Sequence, residues 1–136
     1  MASIRRDISV AAAPAQVWDA VRDYGALHER FVRGFVTSSK LEGDTRTITF
    51  ANGAVAKERL IDIDDANRRL AYTAQREGIE HHNGVVTVAA DGAGRTRLTW
   101  VIDILPNSIA GYIGGMMDAG AAAMKQTLES DAAKAK

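Results

Sequence analysis

Two periods alternate along this chain. Apolar residues in its last quarter, Ile109, Tyr112, Ile113, Met116, Met117, Met124 and Leu128, fall on one face of a helix, which predicts a long amphipathic helix over residues 109–128. Near the other end Val17, Trp18, Val21 and Tyr24 predict a shorter helix. Pro14 suits its first position, where the missing N–H would have no partner anyway, and Gly25 is placed to end it. A brief second helix over 26–30 follows. Between these stretches the period is two: 35–41, 45–50, 55–63, 69–75, 82–90 and 95–104 each predict a strand rich in Val, Ile and Thr, and Ile4, Ile8 and Val10 mark a first strand at the N-terminus. The separators Gly43-Asp44, Asn52-Gly53, Asp64 to Asn67 and Asp91 to Gly94 are turn chemistry, so consecutive strands become antiparallel neighbours. Pro106 closes the last strand, Ser108 is placed to cap the final helix, and the tail 130–136 is expected to fray.

One strand, two short helices, six strands and a long helix make an α+β arrangement. Its length, 136 residues, is that of one domain. A curved seven-stranded antiparallel sheet packs one face on the long helix, and strong curvature leaves space between them. The helix composition agrees. Gly111, Gly114, Gly115 and Gly120 each cost about 1 kcal/mol of helix stability relative to alanine, and small residues beside flexible methionines suit the wall of a cavity. Alternation on the strands adds Ile48, Phe50, Tyr72 and Val86 to that wall, opposite Met116, Met117 and Gly120. Trp100, in phase with Leu98, Ile102 and Ile104, is expected in the core beneath the helix.

Charge narrows the field. Lys and Arg number 17, as do Asp and Glu, so nothing in the balance favours nucleic acid or an anionic membrane surface. The absence of cysteine excludes disulfides, thiol nucleophiles and cysteine-ligated metals, and suits a cytoplasmic protein. The first ten residues alternate where a signal peptide would be continuously apolar, and no run approaches membrane-spanning length. Gly111 and Gly115 match a membrane packing motif, but Asp118 and Lys125 oppose membrane insertion. No serine elbow or phosphate-cradling glycine loop is present.

Local phrases carry a resemblance over nearly the whole chain. They are Ala12-Ala13-Pro14-Ala15-Gln16-Val17-Trp18, Glu58-Arg59-Leu60 before Asp64-Asp65, Arg69-Leu70-Ala71-Tyr72, Thr96 to Trp100, and Met124 to Leu128. In this order the chain resembles the START-like superfamily, specifically the bacterial polyketide cyclase/dehydrase and lipid-transport group (SRPBCC), with pollen-allergen proteins and plant abscisic acid receptors as distant relatives. The resemblance implies a helix-grip fold with an internal cavity for a small hydrophobic molecule. It also implies pocket positions for Phe31 and Arg33, in a phrase similar to the receptors' ligand-facing lysine, for Glu58, and for the apolar residues Ile48, Phe50, Tyr72 and Ala74. The receptors' gate resembles Asn52-Gly53-Ala54 only loosely, and their latch only as far as Glu80-His81, so receptor function is not implied.

Three side chains are candidates for chemistry. Arg33 could hold a carboxylate or enolate while Glu58 accepts a proton. Strand parity divides over Glu58: Val55, Ile61 and Ile63 share one face and Ala56, Glu58 and Leu60 the other, so only the resemblance or a bulge turns Glu58 inward. His81 and His82 point to opposite faces, which opposes a shared metal and leaves His82 as either a mouth-lining residue or a general acid–base. Tyr72 and Tyr112 could direct phenol hydroxyls at a ligand or serve as amphipathic core. The expected function is binding of a small hydrophobic carbonyl compound, with cofactor-free cyclisation or dehydration by Arg33, Glu58 or His82; the alternative is a noncatalytic lipid, quinone or isoprenoid carrier. Monomer and homodimer both remain open.

Overall fold

The computed structural model describes residues 1–135. Strand β1 (Ala2–Val10) leads into α1 (Pro14–Arg22) and two tight turns, and then six strands follow without interruption. These are β2 (Val36–Glu42), β3 (Thr45–Phe50), β4 (Val55–Asp64), β5 (Arg69–Gln75), β6 (His81–Ala90) and β7 (Thr96–Leu105). The long helix α2 (Ala110–Lys134) closes the chain. All seven strands form one antiparallel sheet in the order β1-β7-β6-β5-β4-β3-β2, so the helix-grip α+β architecture expected from the pattern is present.

Alternation decides the inner face. Leu98, Ile102 and Ile104 of β7, Val86 and Val88 of β6, and Leu70 and Tyr72 of β5 are buried together under α2. From the helix Ile113, Met117, Met124 and Leu128 meet them. The face turned away carries Val55 and Ile61, both more than half exposed.

Strand β4 resolves the divided parity. Leu60 pairs with Tyr72 but Asp62 pairs with Ala71, a register shift that inserts one residue and flips the face. Before this bulge Ala56 and Glu58 point inward; after it Ile63, opposite Leu70, packs on the core while Ile61 stays in solvent.

Four expectations need correction. The first short helix stops at Arg22, and Tyr24 and Gly25, expected to finish it, lie in a 3₁₀ turn (Tyr24–Ala26). The second, expected over 26–30, is a single π turn (Leu27–Phe31), and the two turns bury Tyr24, Leu27 and Phe31. With only these few side chains to anchor it, the segment follows their packing rather than α-helical spacing. Ser108 makes no capping bond, and α2 is preceded instead by a 3₁₀ turn (Asn107–Ile109). The tail expected to fray is helical through Lys134, because Ala132 is buried and Asp131 accepts two bonds from Arg33; residue 136 lies outside the described residues.

Candidate functional site

A chamber lies between the concave face and α2. Phe31, Ile48, Phe50 and Tyr72 line it, as do Ala74, Val86, Met116 and Met117, so most of the expected wall residues share one space. Its free volume, ≈ 70 Å³ for the centres of water-sized atoms, would hold several waters in a polar site. Phe35, Phe50 and Met116 also border a wider groove on the outside, which runs along Gly111, Tyr112 and Gly115.

Two expected wall residues stand elsewhere. Tyr112 is half exposed over the outer groove. Gly120 is a packing residue: a Cβ there would sit 3.1 Å from the Trp100 ring and 3.2 Å from that of Phe35, so its bareness lets the helix settle onto Trp100. Gly111 and Gly115 face open space, and their lack of a side chain leaves the groove unfilled.

One end of the chamber is polar. Arg46 and Glu58 are cross-strand partners on β3 and β4, and the arginine donates Nε to Glu58 Oε1 at 2.9 Å with Nη2 2.7 Å from the same oxygen. Both side chains are over nine-tenths buried. Arg46 also donates Nη1 to the Tyr24 carbonyl at 3.2 Å and lies 3.8 Å over the Tyr24 ring, while Tyr24 donates its hydroxyl to the Glu58 carbonyl at 2.8 Å. The ion pair is thus held on three sides. Tyr72 accepts a hydrogen bond from Trp100 Nε1 at 3.1 Å. Burial raises the Tyr72 hydroxyl far above the ordinary phenol range, with Glu58 adding to the effect, so it remains a donor.

His82 completes the polar end. It lines the chamber with its ring centroid 6.2 Å from that of Tyr72, and its buried Nε2 has no partner in the protein. Burial pushes its pKa below the usual imidazole value; Glu58 opposes that shift, and Arg76 and His81 reinforce it. A histidine held neutral destabilises the fold when it must take a proton. The unfolded chain binds that proton first, so stability is full above the unfolded value and falls as pH drops below about 6.5. Thermal melts of wild type should therefore decline from pH 7 to pH 5 more steeply than those of His82→Phe. Parallel curves would show that His82 is not desolvated.

Arg33 is not part of this constellation. It forms a surface pair with Asp131, at 2.9 and 3.0 Å, with both side chains 40% exposed, and it donates to the Glu29 carbonyl. Its role in the fold is to clasp the π turn to α2, so the expected Arg33–Glu58 pairing does not form. The partner of Glu58 is Arg46, which the sequence reading passed over. The signal was there: Arg46 is in phase with Ile48 and Phe50 on a strand whose other face is polar. Arg76, at the chamber rim, was also missed, because it follows β5 in a turn that has no periodicity.

Comparisons with known proteins agree with this architecture. The profile of the family described as polyketide cyclase / dehydrase and lipid transport matches residues 1–129. No curated protein matches the chain in sequence. Among solved structures, XoxI from Bacillus cereus is 20% identical with a TM-score of 0.81, over 94% of this chain and 96% of that one. A START superfamily protein from Mycobacterium smegmatis is 11% identical with a TM-score of 0.76, over 98% and 99%. The Zhui aromatase/cyclase from Streptomyces sp. R1128 is 15% identical with a TM-score of 0.74, over 98% and 94%. At these identities the likeness is one of fold. Among the described residues no helix is long and apolar enough to cross a membrane.

Proposed function

The chain belongs to the polyketide cyclase/dehydrase and lipid-transport family, and from that premise we propose that its chamber takes a small, largely apolar carbonyl compound and promotes cyclisation or dehydration without a cofactor. Family and fold support the coarser part, a role in binding a hydrophobic ligand. The finer part rests on one observation, the partnerless Nε2 of a neutral His82 in the chamber wall beside Tyr72. Glu58 is not the base in this reading, since Arg46 engages its carboxylate.

A carbonyl oxygen facing Tyr72 would accept the phenol O–H. The adjacent C–H would then face His82, which in its Nδ1–H form takes the proton on Nε2 as the C–H electron pair moves to the oxygen. The enolate attacks a second carbonyl carbon of the same molecule, and the imidazolium returns its proton to the alkoxide formed there; in dehydration it gives the proton to the departing hydroxyl, which leaves as water. Glu58 stabilises the transient imidazolium. Positioned acid–base groups of this kind contribute about 10²–10⁴-fold.

The test uses 2-acetonaphthone in D₂O, with exchange of its methyl protons followed by NMR. Wild type should exceed the same concentration of imidazole by about 100-fold, and His82→Phe should lose the acceleration while still quenching on ketone binding. Binding without acceleration in wild type would favour the second reading, a carrier, for which the engaged state of Glu58 already speaks.

A further inference from the structure

Charge in the chamber wall does not cancel. Arg46 and Glu58 neutralise each other, and burial keeps His82 uncharged near neutral pH. That leaves Arg76, half-buried at the rim just after β5. Its guanidinium donates Nη2 to the Tyr112 hydroxyl at 2.8 Å and Nη1 to Met116 Sδ at 3.4 Å, and it lies 5.8 Å from the Phe50 ring centroid and 5.4 Å from that of Tyr112. Every one of these partners is neutral. Among the described residues no carboxylate lies within 4.0 Å of it; Arg68, Arg69 and Arg95 share that lack, but of these four only Arg76 lines the chamber. A guanidinium offers five N–H donors in a fork matched to a carboxylate, and a thioether is a weak acceptor that an anion readily displaces. The surroundings therefore hold the cation in place without satisfying its charge.

We infer that Arg76 is the receptor for an anionic headgroup, so that the molecule taken by the chamber is a monoanion with a largely apolar body, its carboxylate at the rim and its rings or hydrocarbon inside. The inference rests on the ligand-binding reading above and narrows it: an oxo acid satisfies both the rim and the polar end. It does not depend on catalysis, because a carrier would select the same class.

Two probes of nearly equal shape separate the possibilities. Naphthalene-2-carboxylate and naphthalene-2-methanol are titrated by fluorescence against the full chain at pH 8 and low salt. Wild type should prefer the carboxylate by about tenfold or more, as expected for a charge-assisted bidentate contact. Arg76→Met should abolish the preference while leaving the alcohol within about twofold. Independently of any variant, the wild-type preference should shrink between 20 mM and 300 mM NaCl, since a rim charge is screened. Equal binding of both probes by wild type, or an undiminished preference in Arg76→Met, would overturn the inference alone. If neither probe binds wild type, the ligand-binding reading fails and the inference fails with it.

Discussion

Arg46→Met will lower the melting temperature by on the order of 15 °C. Breaking a buried ion pair on one side typically costs about 3–5 kcal/mol, because the remaining charge stays desolvated without a counter-charge, and in a domain of this size each kcal/mol moves the midpoint by about 4 °C. Glu58→Met should be comparably damaging, as it leaves a guanidinium more than nine-tenths buried among Tyr24, Tyr72 and the sheet. The double variant should recover most of the loss, since two apolar side chains of similar volume need no partner. Recovery will be incomplete: Arg46 also serves the Tyr24 carbonyl and ring. The Arg33–Asp131 pair supplies the contrast, and with both side chains 40% exposed either single change there should cost below about 1 kcal/mol. Melts of the three Arg46/Glu58 variants give the coupling directly. Single variants within 2 °C of wild type would mean that the pair is hydrated.

The second large effect is expected at Gly84, which takes no part in the chemistry. Gly84 pairs with Tyr72 across β5 and β6, and the hydroxyl end of the tyrosine ring takes the place a side chain would need; a Cβ would stand 2.2 Å from Tyr72 Cζ and 2.4 Å from its oxygen. No real contact is that short, so in Gly84→Ala the ring must swing away, leaving Trp100 Nε1 without its acceptor. Overpacking costs about 1–3 kcal/mol and a buried donor left unpaired about as much again. A fall on the order of 10 °C should result, with a changed near-ultraviolet circular dichroism signal from Trp100. In the background of Tyr72→Ala the same alanine should cost little, because the obstacle has gone. A Gly84→Ala protein that melts like wild type would show that the ring does not rest on this glycine.

Much of this molecule was readable before its coordinates, and the boundary of legibility has physical causes. Strands and α2 are legible because burial on one face imposes a period, and the wall residues follow from the same phase: Ile48 with Phe50 on β3, Tyr72 on β5, Val86 on β6, and Met116 with Met117 on α2. Glu58 was ambiguous because a bulge changes phase without changing composition, and no residue in Leu60-Ile61-Asp62 announces an extra member. Arg33 was chosen by likeness of phrase and Arg46 passed over for want of one, although the alternation of β3 put Arg46 inward. The helix glycines, expected to serve one cavity wall, do three different things, for a Cβ on Gly114 would stand 3.2 Å from Arg6 Nη2. Gly120 makes room for Trp100, and Gly111 and Gly115 hold a groove open, a distinction that depends on which strand lies opposite and therefore on tertiary geometry.

The polar end is built by neighbouring strands: Arg46 from β3, Glu58 from β4, Tyr72 from β5 and His82 from β6, each locked by the ladder beside it. Much of the opposite wall is helix, and there the chamber is shaped by Met116, Met117 and Met124. These two surfaces differ in what mutation does to them. A methionine exchanged for another apolar residue of similar size usually costs less than about 1.5 kcal/mol, well under the loss expected when either member of the ion pair is removed. Under selection the helix wall is therefore freer to drift in size and shape than the buried Arg46–Glu58 pair, whose members can be exchanged only together, so descendants of this chain can change what fits while that pair stays in place.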